Sequence, residues 1–321
     1  MISPLPKIVL GTLPFGGVVT EGDSHLLIEQ ALAGGVTAFD VSHLYGGGKA
    51  ISVVRSALQG VGHAQVWCSV GLEKRPDENG VFAVQLVSLT EDAIVKRTND
   101  VLEALDRSQL SLLNIHAFDE TTPLEVTLNA LRELKNSGLV ERVSYSNLSQ
   151  VQADEIISTD HQRVIDLVQL HGNVLERRLI NGPGRTFQDA GRGVACFRAL
   201  ARGLLTREYS PINPSPAHSR ATRGWRLNHY LTHSYLEGLV ELRNRLAGEG
   251  IQAVDFALSW LLHGEFANTA IVGVRDAGQL EGILSWVNSN RESVRLLDFE
   301  HVIPAQLRSD MNSLPLDHFE R

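Results

Sequence analysis

Eight short apolar runs recur along the chain, each followed by a longer amphipathic stretch, and this alternation constrains the fold more than any other feature. The runs span residues 7–11, 38–41, 65–70, 110–116, 142–146, 165–169, 193–197 and 269–273. Most lack a period-two alternation of apolar and polar residues, which argues for strands covered on both faces. Helices are expected over residues 25–33, after Asp23 and Ser24 and before Gly34 and Gly35, and over 90–105 with Thr90 as the N-cap. Further helices are expected over 124–136 (ending at Gly138), 251–262 (ending at His263 and Gly264) and 277–285. Eight strand–helix units in 321 residues predict an α/β fold, a closed (β/α)8 TIM barrel rather than an open doubly wound sheet. No linker or composition shift divides residues 1–321, so a single barrel domain is expected.

One stretch breaks the pattern. Residues 206–233 are rich in Pro, Ser and Arg (Pro211, Pro214, Pro216, Arg220, Arg223, Arg226) and form a long loop after the seventh strand. A loop of that length in a compact domain is usually functional or disordered, and both a mobile lid over the barrel mouth and a disordered excursion fit. Trp225 and Tyr230 within it either line a pocket or anchor the loop.

Composition narrows the function. The formal net charge is −8, which argues against a phosphate-reading surface for nucleic acid. No apolar run reaches the roughly 20 residues of a membrane span, and the stretch from Met1 to Lys7 has no apolar core of a signal peptide. Cys68 and Cys196 lie in apolar, strand-like runs and read as buried thiols rather than a disulfide. A cytoplasmic protein is expected. The spacing of Cys and His suggests no metal site, and neither a Gly-x-Gly-x-x-Gly turn nor a Walker loop is present.

Barrel active sites are built from residues at the C-terminal ends of strands and in the loops that follow. That rule selects Asp40, Tyr45 in the loop Tyr45-Gly46-Gly47-Gly48, His116, Ser146 with Asn147, and Gln169. Taken singly, each has a bland explanation: a capping Asp, a packing Tyr, a satisfied core His. Their convergence on one rim is the more informative observation. His43, close to Tyr45 in sequence, reads as a solvent-facing loop residue.

The stretch Gly35-Val36-Thr37-Ala38-Phe39-Asp40-Val41-Ser42-His43-Leu44-Tyr45-Gly46 resembles the signature of the aldo-keto reductase family. Five further segments follow in that family's order. They are Leu113-Asn114-Ile115-His116, the stretch from Gly138 to Asn147, Gln169 with Asn173 and Arg177, the stretch from Ala201 to Thr206, and Ile271-Val272-Gly273-Val274-Arg275 with Gln279 and Leu280. The forms around Gln169 and Gly203 are most similar to the sugar-dehydrogenase and potassium-channel β-subunit branches. The resemblance implies hydride transfer between a nicotinamide cofactor and a carbonyl or alcohol, with a catalytic Asp, Tyr, Lys and His. Asp40, Tyr45 and His116 take three of these roles. The Tyr hydroxyl donates the proton, and the His adds a second hydrogen bond to the same oxygen.

Ser69 stands where the resemblance places the lysine, so the pairing of Asp40 with a cation is lost. Lys74 lies five residues later; the segment from Glu73 to Asp77 reads as a solvated turn, and Lys74 enters the site only if the chain reverses sharply. For the cofactor, the resemblance assigns Ser146, Asn147 and Gln169 to the carboxamide and Phe197 to stacking on the nicotinamide. It assigns Leu200 to the phosphate loop, and Gly273, Arg275 and Gln279 to the adenosine end. Arg198 and Ala199 depart from the family's small polar residue and Pro, and Gly282 and Ile283 from its Glu-Asn pair. Arg275 favours NADP, with NAD the lesser alternative.

The expected function is an NADP(H)-dependent oxidoreductase acting on a small hydroxylated, sugar-like carbonyl or alcohol. Two alternatives stay open because of Ser69. One is an eliminase or isomerase using Tyr45 and His116; the other is a non-catalytic, nucleotide-binding regulatory member.

Overall fold

The computed structural model describes residues 4–76, 82–217, 219, 222, 230–289 and 299–308. Eight parallel strands close into a barrel: Ile8–Gly11 (β1), Ala38–Ser42 (β2), Gln65–Val70 (β3), Leu112–Ile115 (β6), Val143–Ser146 (β7), Leu167–His171 (β8), Gly193–Phe197 (β9) and Thr269–Gly273 (β10). Each expected run supplies one strand. β1 closes the ring by pairing Gly11 with both Asp40 and Gly273.

The strands alternate after all, but between two different buried environments. Outward residues such as Val66, Cys68 and Val70 join the layer under the helices. Inward residues form their own cluster of Val9, Ala38, Trp67, Leu112, Leu167, Ala195 and Ile271, an apolar plug at the base of the barrel. One step toward the C-terminal ends, the inward positions turn polar: Asp40, Ser69, Asn114, Ser144 and Gln169, all buried. In small barrels successive inward residues stack in layers. A polar layer here therefore sits directly on an apolar one.

The surrounding helices are Glu21–Ala33 (α1), Ala50–Ala57 (α2), Glu91–Leu105 (α3), Leu124–Asn136 (α4), Gln150–Thr159 (α5), Arg185–Asp189 (α6), His233–Gly248 (α7), Ala253–His263 (α8) and Ala277–Asn288 (α9). α3 shows why such stretches become helices. Ile94, Thr98, Val101, Leu102 and Leu105 are buried at helical spacing, so one face meets the barrel. Helix α1 starts at Glu21 rather than 25, because Thr20, and not Asp23 or Ser24, is the cap; its hydroxyl accepts from the Asp23 N–H. Helix α8 starts two residues later than expected, at Ala253, and α9 runs on to Asn288.

The segment from Glu73 is not a turn. Leu72–Pro76 (β4) pairs antiparallel with Phe82–Leu86 (β5) in a separate hairpin after β3; Asp77 lies outside the described residues. Glu73 ties this hairpin to α3 through Arg97, at 3.0 Å. The long segment after β9 opens with a tight turn, Ala201–Gly203, and a bridge between Ser210 and Asn213. It ends at Tyr230, which is buried and gives its hydroxyl to Glu176. That end is an anchor; Arg220, Arg223, Trp225 and Arg226 lie outside the described residues. Among the described residues no helix is long and apolar enough to cross a membrane.

Candidate active site

The barrel mouth is assembled from the ends of β2, β3, β6, β7 and β8. Asp40 sits mid-strand in β2, its carbonyl held by both the N–H (3.0 Å) and the hydroxyl (2.8 Å) of Thr12 from the end of β1. After β2 the chain turns sharply: Ser42 Oγ accepts from the Leu44 N–H, and Tyr45 opens a tight turn through Gly48. The Gly46 N–H donates to the Leu13 carbonyl at 3.0 Å, so the loop after β1 clamps the turn that carries Tyr45.

This places the Tyr45 hydroxyl within hydrogen-bonding reach of Asp40 and Ser69. Its ring meets that of His116 edge-on, with centroids 6.4 Å apart and an interplanar angle of 79°. Asp40, Tyr45, Ser69 and His116 thus converge. Lys74 does not join them. It lies exposed on β4, opposite Val84, because the hairpin carries the chain onward instead of folding it back.

Burial dominates the electrostatics. The Asp40 carboxyl is pushed up to about 7 by desolvation, partly offset by Tyr45, and its Oδ1 has no partner. The Tyr45 phenol is held well above its usual value by burial first and then by the neighbouring Asp40, while Ser69 acts in the opposite sense. His116 is lowered to about 4 by burial and by nearby His43, so its imidazole is neutral at neutral pH and offers one N–H. Its Nδ1 is buried without a partner. His43, expected in solvent, is partly buried with an unpartnered Nε2, because the chain passes beneath Leu72 at the start of the hairpin. Unsatisfied polar atoms on Asp40 and His116, the two groups beside the phenol, suit a polar ligand.

A ladder of side chains crosses the barrel behind this group. Gln169 Nε2 donates to Ser144 Oγ (3.1 Å), and the hydroxyls of Ser144 (2.7 Å) and Ser146 (3.0 Å) both donate to Asn114 Oδ1. Asn114 Nδ2 in turn donates to Ser69 Oγ at 2.9 Å. Asn147, in the left-handed region at φ 58°, donates its Nδ2 to the His116 carbonyl at 2.8 Å. Ser146, Asn147 and Gln169 are therefore joined to the Tyr45 group through Asn114 and His116.

Sequence reasoning missed Asn114 and Ser144. Their signal was present: Leu112-Asn114-His116 and Leu167-Gln169-His171 change from apolar to polar at every second residue. It also missed His171, at the end of β8, whose Nε2 lies against the Glu176 carboxylate and whose ring stacks on Phe197 at 5.8 Å and 19°. The Arg198 guanidinium lies 5.7 Å from the Phe197 ring centre and 3.2 Å from His171 Nδ1. Leu200 packs on the core at the start of the turn through Ala201–Gly203.

At the end of β10, Gly273 is exposed, and the Arg275 N–H donates to Gln279 Oε1 at 3.1 Å. Gln279 also gives its Nε2 to Asp276, so its amide closes this loop rather than reaching outward. The donor set suits a nicotinamide dinucleotide: an aromatic ring at Phe197 with amides at Asn147 and Gln169 on neighbouring strands, and a cation at Arg275.

A closed (β/α)8 barrel with a Tyr–His–carboxylate group at its C-terminal mouth defines a class of carbonyl-handling barrel proteins. Comparison with known proteins makes the assignment specific. The sequence model of the Aldo/keto reductase family matches residues 7–298, and the chain belongs to that family. It stands among oxidoreductases of carbonyl and alcohol groups. It is 31% identical over 219 residues to L-glyceraldehyde 3-phosphate reductase of Escherichia coli O157:H7, covering 64% of this chain and 62% of that protein. It is 26% identical over 287 residues to the aldo-keto reductase YhdN of Bacillus subtilis (strain 168), covering 86% and 83% respectively. A glycerol dehydrogenase structure from Gluconobacter oxydans superposes with a TM-score of 0.79 over 98% of this chain and 96% of that one, at 22% identity.

Proposed function

We propose that the chain is an NADP(H)-dependent oxidoreductase that interconverts a carbonyl and an alcohol on a small hydroxylated, sugar-like substrate. One cytoplasmic barrel domain carries the activity. The observation that supports this most is the edge-on approach of Tyr45 and His116 above Asp40 and Ser69. In reduction, Tyr45 gives its hydroxyl proton to the substrate oxygen, and neutral His116 donates a hydrogen bond to that oxygen. The bound nicotinamide supplies the hydride to the carbon. Asp40, protonated in part at neutral pH, lies against Tyr45 as a proton source for its return to the phenol form.

Ser146, Asn147 and Gln169 would hold the carboxamide, Phe197 the nicotinamide face and Leu200 the phosphate loop. Gly273 and Arg275 would hold the adenosine end, with Gln279 bracing the loop between them, and the Arg275 guanidinium suits a 2′-phosphate. A sugar-like substrate fits the unpartnered polar atoms of His43, Asp40 and His116, and the glyceraldehyde and glycerol chemistry named for two of the similar proteins.

The test is a fluorescence titration with NADPH and NADH, followed by carbonyl-dependent NADPH oxidation with wild type and Tyr45→Phe. Binding of NADPH tighter than NADH is expected, with turnover abolished and NADPH binding retained in Tyr45→Phe. Failure to bind either nucleotide would remove this reading.

A further inference from the structure

The family's cation is missing from the mouth, yet the position that replaces it is not an isolated hydroxyl. Ser69 Oγ receives a hydrogen bond from Asn114 Nδ2. The Asn114 Oδ1 is claimed by two hydroxyls, Ser144 and Ser146. Ser144 in turn receives the Gln169 amide N–H, so its own proton must go to Asn114. With the amides in this orientation, every rung from Gln169 to Ser69 points the same way. Once Ser69 accepts from Asn114, its own O–H is left to donate, and Tyr45 is a neighbouring acceptor.

We propose that Asn114 is a positioning residue that aims the Ser69 hydroxyl at the Tyr45 oxygen, providing a neutral hydrogen-bond donor in place of a cation. This rests on the reading of Tyr45 as the proton donor. When Tyr45 passes its proton to the substrate oxygen, the phenolate left behind carries the negative charge and accepts the Ser69 O–H; no proton leaves Ser69. A hydrogen bond to a charged group is worth more than one to a neutral group, so the ladder favours the state after proton transfer over the state before it. Preorientation matters because a hydroxyl free to rotate would donate equally well to the Asp40 carboxylate.

The chain contains five tyrosines, so labelling with 13C at Cζ gives a short spectrum in which Tyr45→Phe identifies the Tyr45 resonance. Ser69→Ala and Asn114→Leu are expected each to shift that resonance, with no further shift when combined, whereas Ser69→Thr leaves it in place. In NADPH-dependent reduction of DL-glyceraldehyde, both single variants should lower kcat roughly tenfold to a hundredfold with KM and NADPH affinity little changed. The double variant should be no slower than the slower single variant, because both act through one hydroxyl. An unmoved resonance in Asn114→Leu, or additive effects in the double variant, would overturn the proposal. If Asn114→Leu does not fold, Asn114→Asp at pH 8 keeps the shape but accepts the Ser69 proton, and the same shift is expected. If DL-glyceraldehyde is not turned over, the resonance alone decides. Turnover that survives Tyr45→Phe defeats the reading of Tyr45 as donor. A silent Asn114→Leu beside an inactive Tyr45→Phe defeats only the role of Asn114.

Discussion

Asp40 shows what the loss of a neighbouring cation does to one residue. Its ordinary value is 3.8 and burial pushes it to about 7, so the folded chain holds its proton over a range where the unfolded chain has released it. Below the lower value both states are protonated and nothing is lost. As pH rises toward the higher value, ionisation favours the unfolded chain, and stability falls by roughly 1.4 kcal/mol per pH unit. Asp40→Asn removes this titration. Its unfolding free energy relative to wild type, measured in denaturant, should be about 2–3 kcal/mol higher (more stable) at pH 8 than at pH 5. An identical difference at both values would mean that Asp40 ionises in the fold as readily as in the unfolded chain. Asp40, Tyr45 and His116 were legible in the sequence because a strand end confers a role on whatever residue occupies it. Asn114 was passed over, because the alternation Leu112-Asn114-His116 marks an inward polar position only once the inward face of the strand is known.

The turn from Tyr45 to Gly48 is the element on which the proposed acid depends. Gly46 has φ 59°, and a Cβ added there would lie 1.7 Å from the Phe15 carbonyl oxygen. Gly47 has a similar φ of 69°, but a Cβ there meets nothing within 4 Å. Both alanine variants meet the left-handed cost of about 1–2 kcal/mol, and only Gly46→Ala must also displace the backbone. Gly46→Ala should therefore lower kcat at least tenfold while Gly47→Ala stays within a few-fold of wild type, read in the same aldehyde assay. Equal effects would show that the turn yields without moving Tyr45. Elements with strong period and end signals, such as α3 and α4, were readable from the sequence. Helix α2 was not: it follows three glycines, and Ile51, Val53 and Val54 are β-branched residues with weak helix preference. The hairpin of β4 and β5 escaped because Glu73, Lys74 and Arg75 are three consecutive charged residues with no apolar alternation.

At the scale of the whole molecule, eight runs were enough to specify a closed ring, since parallel strands covered on both faces admit few arrangements in this length. What they left out was the division of the interior into an apolar plug and a polar layer above it. Trp67, fully buried in the plug, is paired in register with Asp40 and Leu112. Trp67→Ala should cost about 3–5 kcal/mol in equilibrium unfolding, as for other large core truncations. It should also weaken turnover, because the ladder loses its floor; full activity at reduced stability would show that the two layers are mechanically independent. The ladder also has a consequence for descent. A lysine in place of Ser69 would set an ammonium against the Asn114 Nδ2 donor, and relief would require the amide to turn over and the serine hydroxyls to redirect their protons. Substitutions at Ser69 and Asn114 are therefore expected to be coupled, the effect of a lysine at the first depending on the residue at the second.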